Sequence, residues 1–205
     1  DPGLQPRETF AVEQIEITRG PSATFAGRGA AGGSINMITK QASTDYNFNA
    51  IELTGGTDNH FRGTIDSNWR LNDNLAVRAN FLYLTEDIPD RAPAGHERFG
   101  AALSAFVGLG EGVSFLADYY HLTVRDTQDL GVVVANVDNG GAVNFDIPSY
   151  AQDEDFQNAA VNVFTGRLRF ELGENFTLEN MARYGDISNS YLNTSVGVFT
   201  RGAND

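Results

Sequence analysis

The sequence predicts an all-β chain, most of it part of a transmembrane antiparallel β-barrel, from three observations. Apolar and polar residues alternate from about residue 46 onward. The alternating segments run to about ten residues or more, and their connections are short at one set of strand ends and long at the other. Alternation with a period of two marks a strand with one apolar and one polar face. Tilted near 40°, about ten residues cross an apolar band of about 25 Å. Strands of ordinary globular domains run nearer five or six residues, so these lengths favour a barrel wall over a sandwich.

Residues 1–43 stand apart from that pattern. Val12 to Thr18 and Ser34 to Thr39 are short β-branched runs separated by a glycine-rich segment from Gly20 to Gly33. They read as a compact separate unit, too small to bury a core alone. From residue 44 onward, seven strands are expected, at about residues 46–56, 61–71, 75–87, 98–109, 113–126, 159–172 and 176–190. The second is the clearest: Phe61, Gly63, Ile65, Ser67, Trp69 and Leu71 are apolar or small, and the residues between them are polar. On a helix the same residues would scatter around the whole surface.

Three connections repeat one design. Leu71-Asn72-Asp73-Asn74-Leu75, Leu109-Gly110-Glu111-Gly112-Val113 and Leu172-Gly173-Glu174-Asn175-Phe176 each set three turn-forming residues between two apolar ones. If the flanking pair faces lipid, the alternation carries Trp69, Val107, Phe170, Val77, Phe81, Phe115, Tyr119 and Leu178 onto the same outward face. At the opposite ends the connections span about ten residues, Pro89 to Glu97, and about thirty, residues 127–158. Short turns on one side and long loops on the other characterise outer-membrane barrels, where the turns are periplasmic and the loops extracellular.

Composition narrows the function classes. The chain has 41% hydrophobic and 20% charged residues, which does not suggest disorder. No run of about 18 apolar residues occurs, so no spanning helix is expected; the mean hydropathy of −0.29 suits strands that alternate. A net charge of −13 argues against a nucleic-acid partner, which would need a cationic face. Cysteine is absent, which removes disulfides and thiolate sites. The start, Asp1-Pro2-Gly3, has no signal-peptide character, and the end at Asp205 reads as a loop cut in mid-course; both termini are expected to be cuts in a longer chain.

Residues 12–40 resemble the closing motif of the plug domain of TonB-dependent outer-membrane receptors. Val12, Glu13, Ile15, Glu16, Arg19, Gly20 and Pro21 are followed by Gly27, Gly32, Gly33, Ile35, Asn36, Thr39 and Lys40 in that family's order. One departure is Phe25-Ala26 before Gly27, where the family usually has a tyrosine directly before the glycine. Asp118-Tyr119-Tyr120-His121-Leu122 and Leu178-Glu179-Asn180-Met181-Ala182-Arg183-Tyr184-Gly185 are similar to stretches of the catecholate-type ferric-siderophore receptors. The resemblance implies a barrel of about 22 strands filled by the plug. Residues 1–43 would be the C-terminal part of that plug, and residues 44–205 the first strands of the barrel. It further implies active import of a ferric siderophore, bound by extracellular loops and plug. TonB would act through an N-terminal box outside this sequence, in the outer membrane of a Gram-negative bacterium.

Site residues follow from the resemblance. In the family, plug arginines pair with barrel carboxylates, which implies a plug–barrel latch drawn from Glu13, Glu16, Arg19 and Arg28. Gly20, Gly27, Gly32 and Gly33 are the motif glycines. An anionic aromatic ferric complex would be met by cationic and aromatic groups near the extracellular strand ends: Arg91, His96, Arg98, Tyr120, His121 and Arg125. The bland reading of these six is a solvated rim. No cofactor is expected, and iron would enter only inside the bound siderophore, whose own oxygens saturate it. His60, His96 and His121 share no metal-ligand spacing.

Other readings compete. Gly27-Arg28-Gly29-Ala30-Ala31-Gly32 fits a dinucleotide-binding fingerprint, but the strand-like run Ser34 to Thr39 follows where a helix is required. Asp153-Glu154-Asp155 could bind calcium or simply solvate a loop. Nothing indicates an enzyme, since no catalytic constellation can be argued from spacing. The alternatives for the whole are a receptor for cobalamin, a saccharide or another chelate, a passive porin, or a soluble β-sandwich. The sandwich would cover Trp69, Phe81 and Phe170 with a second sheet.

Overall fold

The computed structural model describes residues 8–20, 32–131, 134–135, 142–143 and 151–194. The elements in chain order are β1 (Val12–Arg19), β2 (Gly33–Thr39), β3 (Phe48–Gly55), β4 (Phe61–Asn72), β5 (Leu75–Asp87) and β6 (Gly95–Gly110), then β7 (Val113–Thr127), β8 (Val134–Ala135), β9 (Ala142–Val143), β10 (Phe156–Glu171) and β11 (Thr177–Leu192). All the described regular structure is strand.

β1 and β2 form a two-stranded antiparallel sheet with Ile15 opposite Met37 and Ile17 opposite Ile35. Gly33 sits at φ +132°, where an added Cβ would lie 2.2 Å from the Thr18 carbonyl oxygen, so the close approach of the two strands requires glycine there. The long strands form one seven-stranded sheet in the order β11-β10-β7-β6-β5-β4-β3, with every neighbouring pair antiparallel. Sequence neighbours pair throughout, except that the small β8–β9 hairpin lies between β7 and β10 in the chain.

The register joins the outward residues into continuous rows. Trp69 lies opposite Val77, Leu75 and Phe115 lie opposite Val107, and Phe170 lies opposite Leu178. Phe81 lies between Ile65 and Ala101, and Tyr119 between Leu103 and Phe164. Trp69, Phe81, Phe115 and Leu178 are exposed, so among the described residues no second sheet covers this face and the sandwich expectation fails. The alternate residues form the inner face, and there the buried apolar cluster lies. Leu82, Leu84 and Ala102 of the wall pack against Phe10 and Ala11, which precede β1.

Three details differ from the sequence reading. β3 spans Phe48–Gly55, eight residues, and is shorter than the strand expected at 46–56. β6 and β10 each begin three residues early, at Gly95 and Phe156, which cuts the β5–β6 connection to residues 88–94. Residues 56–60 close β3 to β4 tightly on the long-loop side, with Asp58 and Asn59 at φ 58° and 55° and the Gly56 N–H donating to the His60 carbonyl at 2.9 Å. Loop length therefore segregates less completely than the sequence suggests.

The residues just before β10 are tied to the end of β11. Asp155 accepts from the Gln152 N–H at 2.8 Å and from the Thr194 N–H and hydroxyl at 2.7 and 3.0 Å. These donors, the Gln152 N–H first, hold its carboxyl below the usual value. A depressed pKa stabilises the folded form above the ordinary carboxylate range, and that contribution is lost as pH falls through the lowered value. Amide exchange at Thr194 should therefore quicken below about pH 4 and become pH-independent in an Asp155→Asn variant, apart from the intrinsic exchange rate. A second expectation concerns the outward face. If that face meets lipid, Ile65→Arg near the middle of β4 should cost about 2–4 kcal/mol in denaturant titrations of the full-length protein, whereas Thr64→Arg on the inner face of the same strand should cost far less.

Candidate functional site

The β1–β2 sheet is tied to the seven-stranded sheet by its flanks, where residues 8–13 and 40–46 lie on the inner face of β4 to β7. The contact begins with an apolar peg. The Phe10 ring stacks on Tyr120 with centroids 5.7 Å apart, and is 5% exposed. Beneath it lies Gly100, where an added Cβ would come within 2.5 Å of the ring. Any larger residue at position 100 would occupy the volume that Phe10 fills. Burial of one such ring is worth about 1.5–3 kcal/mol. Gly100 thus has its role through space, at a backbone conformation open to any residue.

A charged quartet flanks the peg on one side. Arg78 of β5, 5% exposed, donates from Nε and Nη2 to the two oxygens of Asp66 on β4, both at 2.9 Å. Its Nη1 lies 2.9 Å from Glu13 of β1 and donates to the Gln41 carbonyl at 3.2 Å. Lys40 reaches the same Asp66 at 2.9 Å, and the guanidinium lies 5.2 Å from the Phe48 ring centroid. A guanidinium held this dry requires its partners, because removing one leaves an uncompensated buried charge. Neutral hydrogen bonds extend the seam. The Ala42 N–H donates to Ser104 Oγ at 2.9 Å, and the Asn68 amide accepts from Ser43 N–H and donates to the carbonyls of Ser43 and Tyr46.

A second charged cluster lies nearer the loops. Glu8 accepts from Arg98 Nη1 at 2.7 Å and lies 3.8 Å from Arg62 Nη2. Arg98 donates through Nη2 to Asp126 at 2.9 Å, and His96 Nδ1 lies 3.3 Å from the same carboxylate.

These placements sort the residues singled out in the sequence. Glu13 joins the wall through Arg78. Glu16 stays within its own hairpin, accepting from Asn36 at 3.0 Å. Arg19 is exposed and makes no ion pair among the described residues. Arg28 and Gly27 lie outside the described residues. Gly20 has φ +90°, and Gly32 has open space where a Cβ would lie. His96, Arg98 and Tyr120 share the inner face, the first two at one cluster and the third under Phe10.

His121 and Arg125 are corrected. They share the parity of Phe115 and Tyr119 on β7 and point outward, His121 bonding to Asn162 and Thr123. The period of two that puts Tyr119 outside dictates this, and the mere nearness of both residues to the loops concealed it. Arg91 belongs to neither face. It pairs with Asp129 at 2.5 Å across the connections that follow β5 and β7. Residues that sequence reasoning missed are Glu8, Phe10, Asp66, Arg78, Gly100 and Asp126, and Lys40 was read as a motif residue without a role at the seat. Strand parity alone marks Asp66, Arg78, Gly100 and Asp126 as inward-facing; nothing local marks Glu8 or Phe10.

Comparison with known proteins places this arrangement. No family model matches the chain. It is 32% identical over 212 aligned residues to the catecholate siderophore receptor Fiu of Escherichia coli K12, covering 96% of this chain and 27% of that one. It is 33% identical to the probable TonB-dependent siderophore receptor PiuA of Acinetobacter baumannii, covering 93% of this chain and 26% of the relative. The crystal structure of the open form of the ferric-catecholate import receptor Fiu superposes with a TM-score of 0.83 at 32% identity, covering 91% of this chain and 30% of that one. The chain thus spans about a quarter of the length of the curated relatives it matches.

Substitutions at the peg and at the quartet test the seat in the full-length protein by denaturant titration. Gly100→Ala should destabilise by about 1–3 kcal/mol with Phe10 present and by much less in a Phe10→Ala background; an equal loss in both would contradict the peg. Arg78→Met should cost about 3–5 kcal/mol, and Glu13→Gln less, because the Glu13 side chain is half exposed.

Proposed function

We propose, from the premise that this chain belongs with the TonB-dependent siderophore receptors to which it is homologous over 96% of its length, that it forms part of an energy-coupled importer of ferric siderophores in a Gram-negative outer membrane. In this reading residues 1–43 are the C-terminal part of the plug, and the seven long strands are wall. The observation that carries the reading is the seating of residues 8–13 and 40–46 on the inner face, away from the exposed apolar one. A passive pore would have no reason to hold a separate unit there through a buried ring and several ion pairs.

The physics suits a unit that is held firmly and released under load. The quartet and peg resist spontaneous opening, while each contact is of a size that an energy-transducing partner can break in turn. Cargo binding falls to loops and plug, with TonB acting on sequence beyond this chain. Iron arrives as part of the cargo, and the wall need supply no metal ligand.

Growth on defined chelates tests the proposal. A receptor-deleted strain carrying the full-length gene should grow on an anionic ferric tris-catecholate as sole iron source, and should fail to do so without TonB. Rescue by cobalamin alone, or iron-dependent growth that survives loss of TonB, would refute it.

A further inference from the structure

We infer that Arg62 and Arg98 form an anion subsite on the inner wall which the chain's own Glu8 fills as an internal ligand, to be displaced by an oxyanion of an incoming chelate. The physiological ligand in this inference rests on the import reading; the subsite itself does not. Three features of the cluster support it.

The first is position. Arg62 is the second residue of β4, Arg98 the fourth of β6 and Asp126 the last but one of β7, so all three lie on the inner face at the strand ends that meet the loops. That mouth is where cargo from outside first meets the wall.

The second is geometry. One Glu8 oxygen accepts from Arg98 Nη1 at 2.7 Å, and the other lies 3.8 Å from Arg62 Nη2, so a single carboxylate bridges two guanidinium groups. Asp126 holds the Nε and Nη2 edge of Arg98 at 3.4 and 2.9 Å, which leaves Nη1 presented to whatever takes the place of Glu8. The donor is therefore oriented before any ligand arrives, which is the condition for a selective anion contact.

The third is charge. Arg62 and Arg98 carry two positive charges against the one negative charge of Asp126. The Glu8 side chain is 9% exposed, and without it a poorly solvated positive charge would remain. Some anion must close that balance, and a carboxylate or catecholate oxygen of an anionic chelate has the same chemistry as Glu8. The loop-end cleft of about 670 Å³ offers no equivalent, because Asp58, Asp87 and Asp90 line it and its Arg91 already pairs with Asp129. Glu8 is two residues from Phe10, so displacing the carboxylate pulls directly on the peg.

The test uses the full-length receptor and two probes, pyrophosphate as an iron-free anion and a ferric tris-catecholate, measured by isothermal titration. Glu8→Gln should bind pyrophosphate about ten-fold more tightly than the wild type, the scale of one charge-assisted hydrogen bond. Adding Arg98→Met should abolish that gain. Equal affinity in wild type and Glu8→Gln, or a gain that survives Arg98→Met, would overturn the subsite. Circular dichroism of each variant excludes misfolding as the cause of a loss. The chelate arm separates the two claims. Pyrophosphate gained by Glu8→Gln without chelate binding in any variant would refute the cargo class and leave the subsite standing.

Discussion

The arrangement depends on a guanidinium that has almost no water. Arg78 is 5% exposed, and its charge is met by Asp66 beside it on the wall, by Glu13 from β1 and by the Gln41 carbonyl after β2. Desolvating such a group is costly, and the cost is offset only if every partner stays in place. The wall alone supplies Asp66. The remaining partners come from the hairpin's two flanks, so Arg78 converts a sheet face into a seat for one particular unit. Lys40 adds a second cation to Asp66, so that carboxylate is met by Arg78 on one side and Lys40 on the other. Phe10 over Gly100 then fixes the depth of the contact, which ion pairs alone, being tolerant of small shifts, would leave loose.

Period-two alternation explains why the seat lies inside. The same strands that place Arg78 and Asp66 inward place Trp69, Val77 and Phe81 outward, and a slip of one residue would exchange the two sets. Under the import reading, the outward set meets lipid and the inward set meets the plug, so one register satisfies both environments. Arg78 pairs locally with Asp66 and Arg98 with Asp126, while Arg62 and the remaining edges of both guanidinium groups are met by residues before β2 and just after it.

Much of this fold was legible because it rests on local rules. The seven long strands, their hairpin turns and the outward rows follow from alternation and turn chemistry, which need no distant partner. The strand starts at Gly95 and Phe156 were less legible, since pairing with β5, β7 and β11 extends them beyond their own alternating cores. At the site, Glu13 was legible from its motif. Arg78, Asp126 and Gly100 could be placed inward by parity but gained roles only from what lies opposite. Glu8 and Phe10 carried no signal, because a lone acid and a lone aromatic before a short strand have no periodicity. His121 and Arg125 went astray when chemical type was weighed without parity.

The central claim is that residues 8–13 lie on the inner face with Phe10 against Gly100. The chain has no cysteine, so a paired replacement in the full-length protein, in an otherwise cysteine-free background, tests it most directly. Phe10→Cys with Gly100→Cys should be joined readily by a short bifunctional thiol reagent, since the Gly100 Cβ position lies against the tip of the Phe10 ring. Phe10→Cys with Ala101→Cys, whose side chain leaves the opposite face of the same strand, should not. Crosslinking of the second pair as fast as the first, or of neither, would contradict the account.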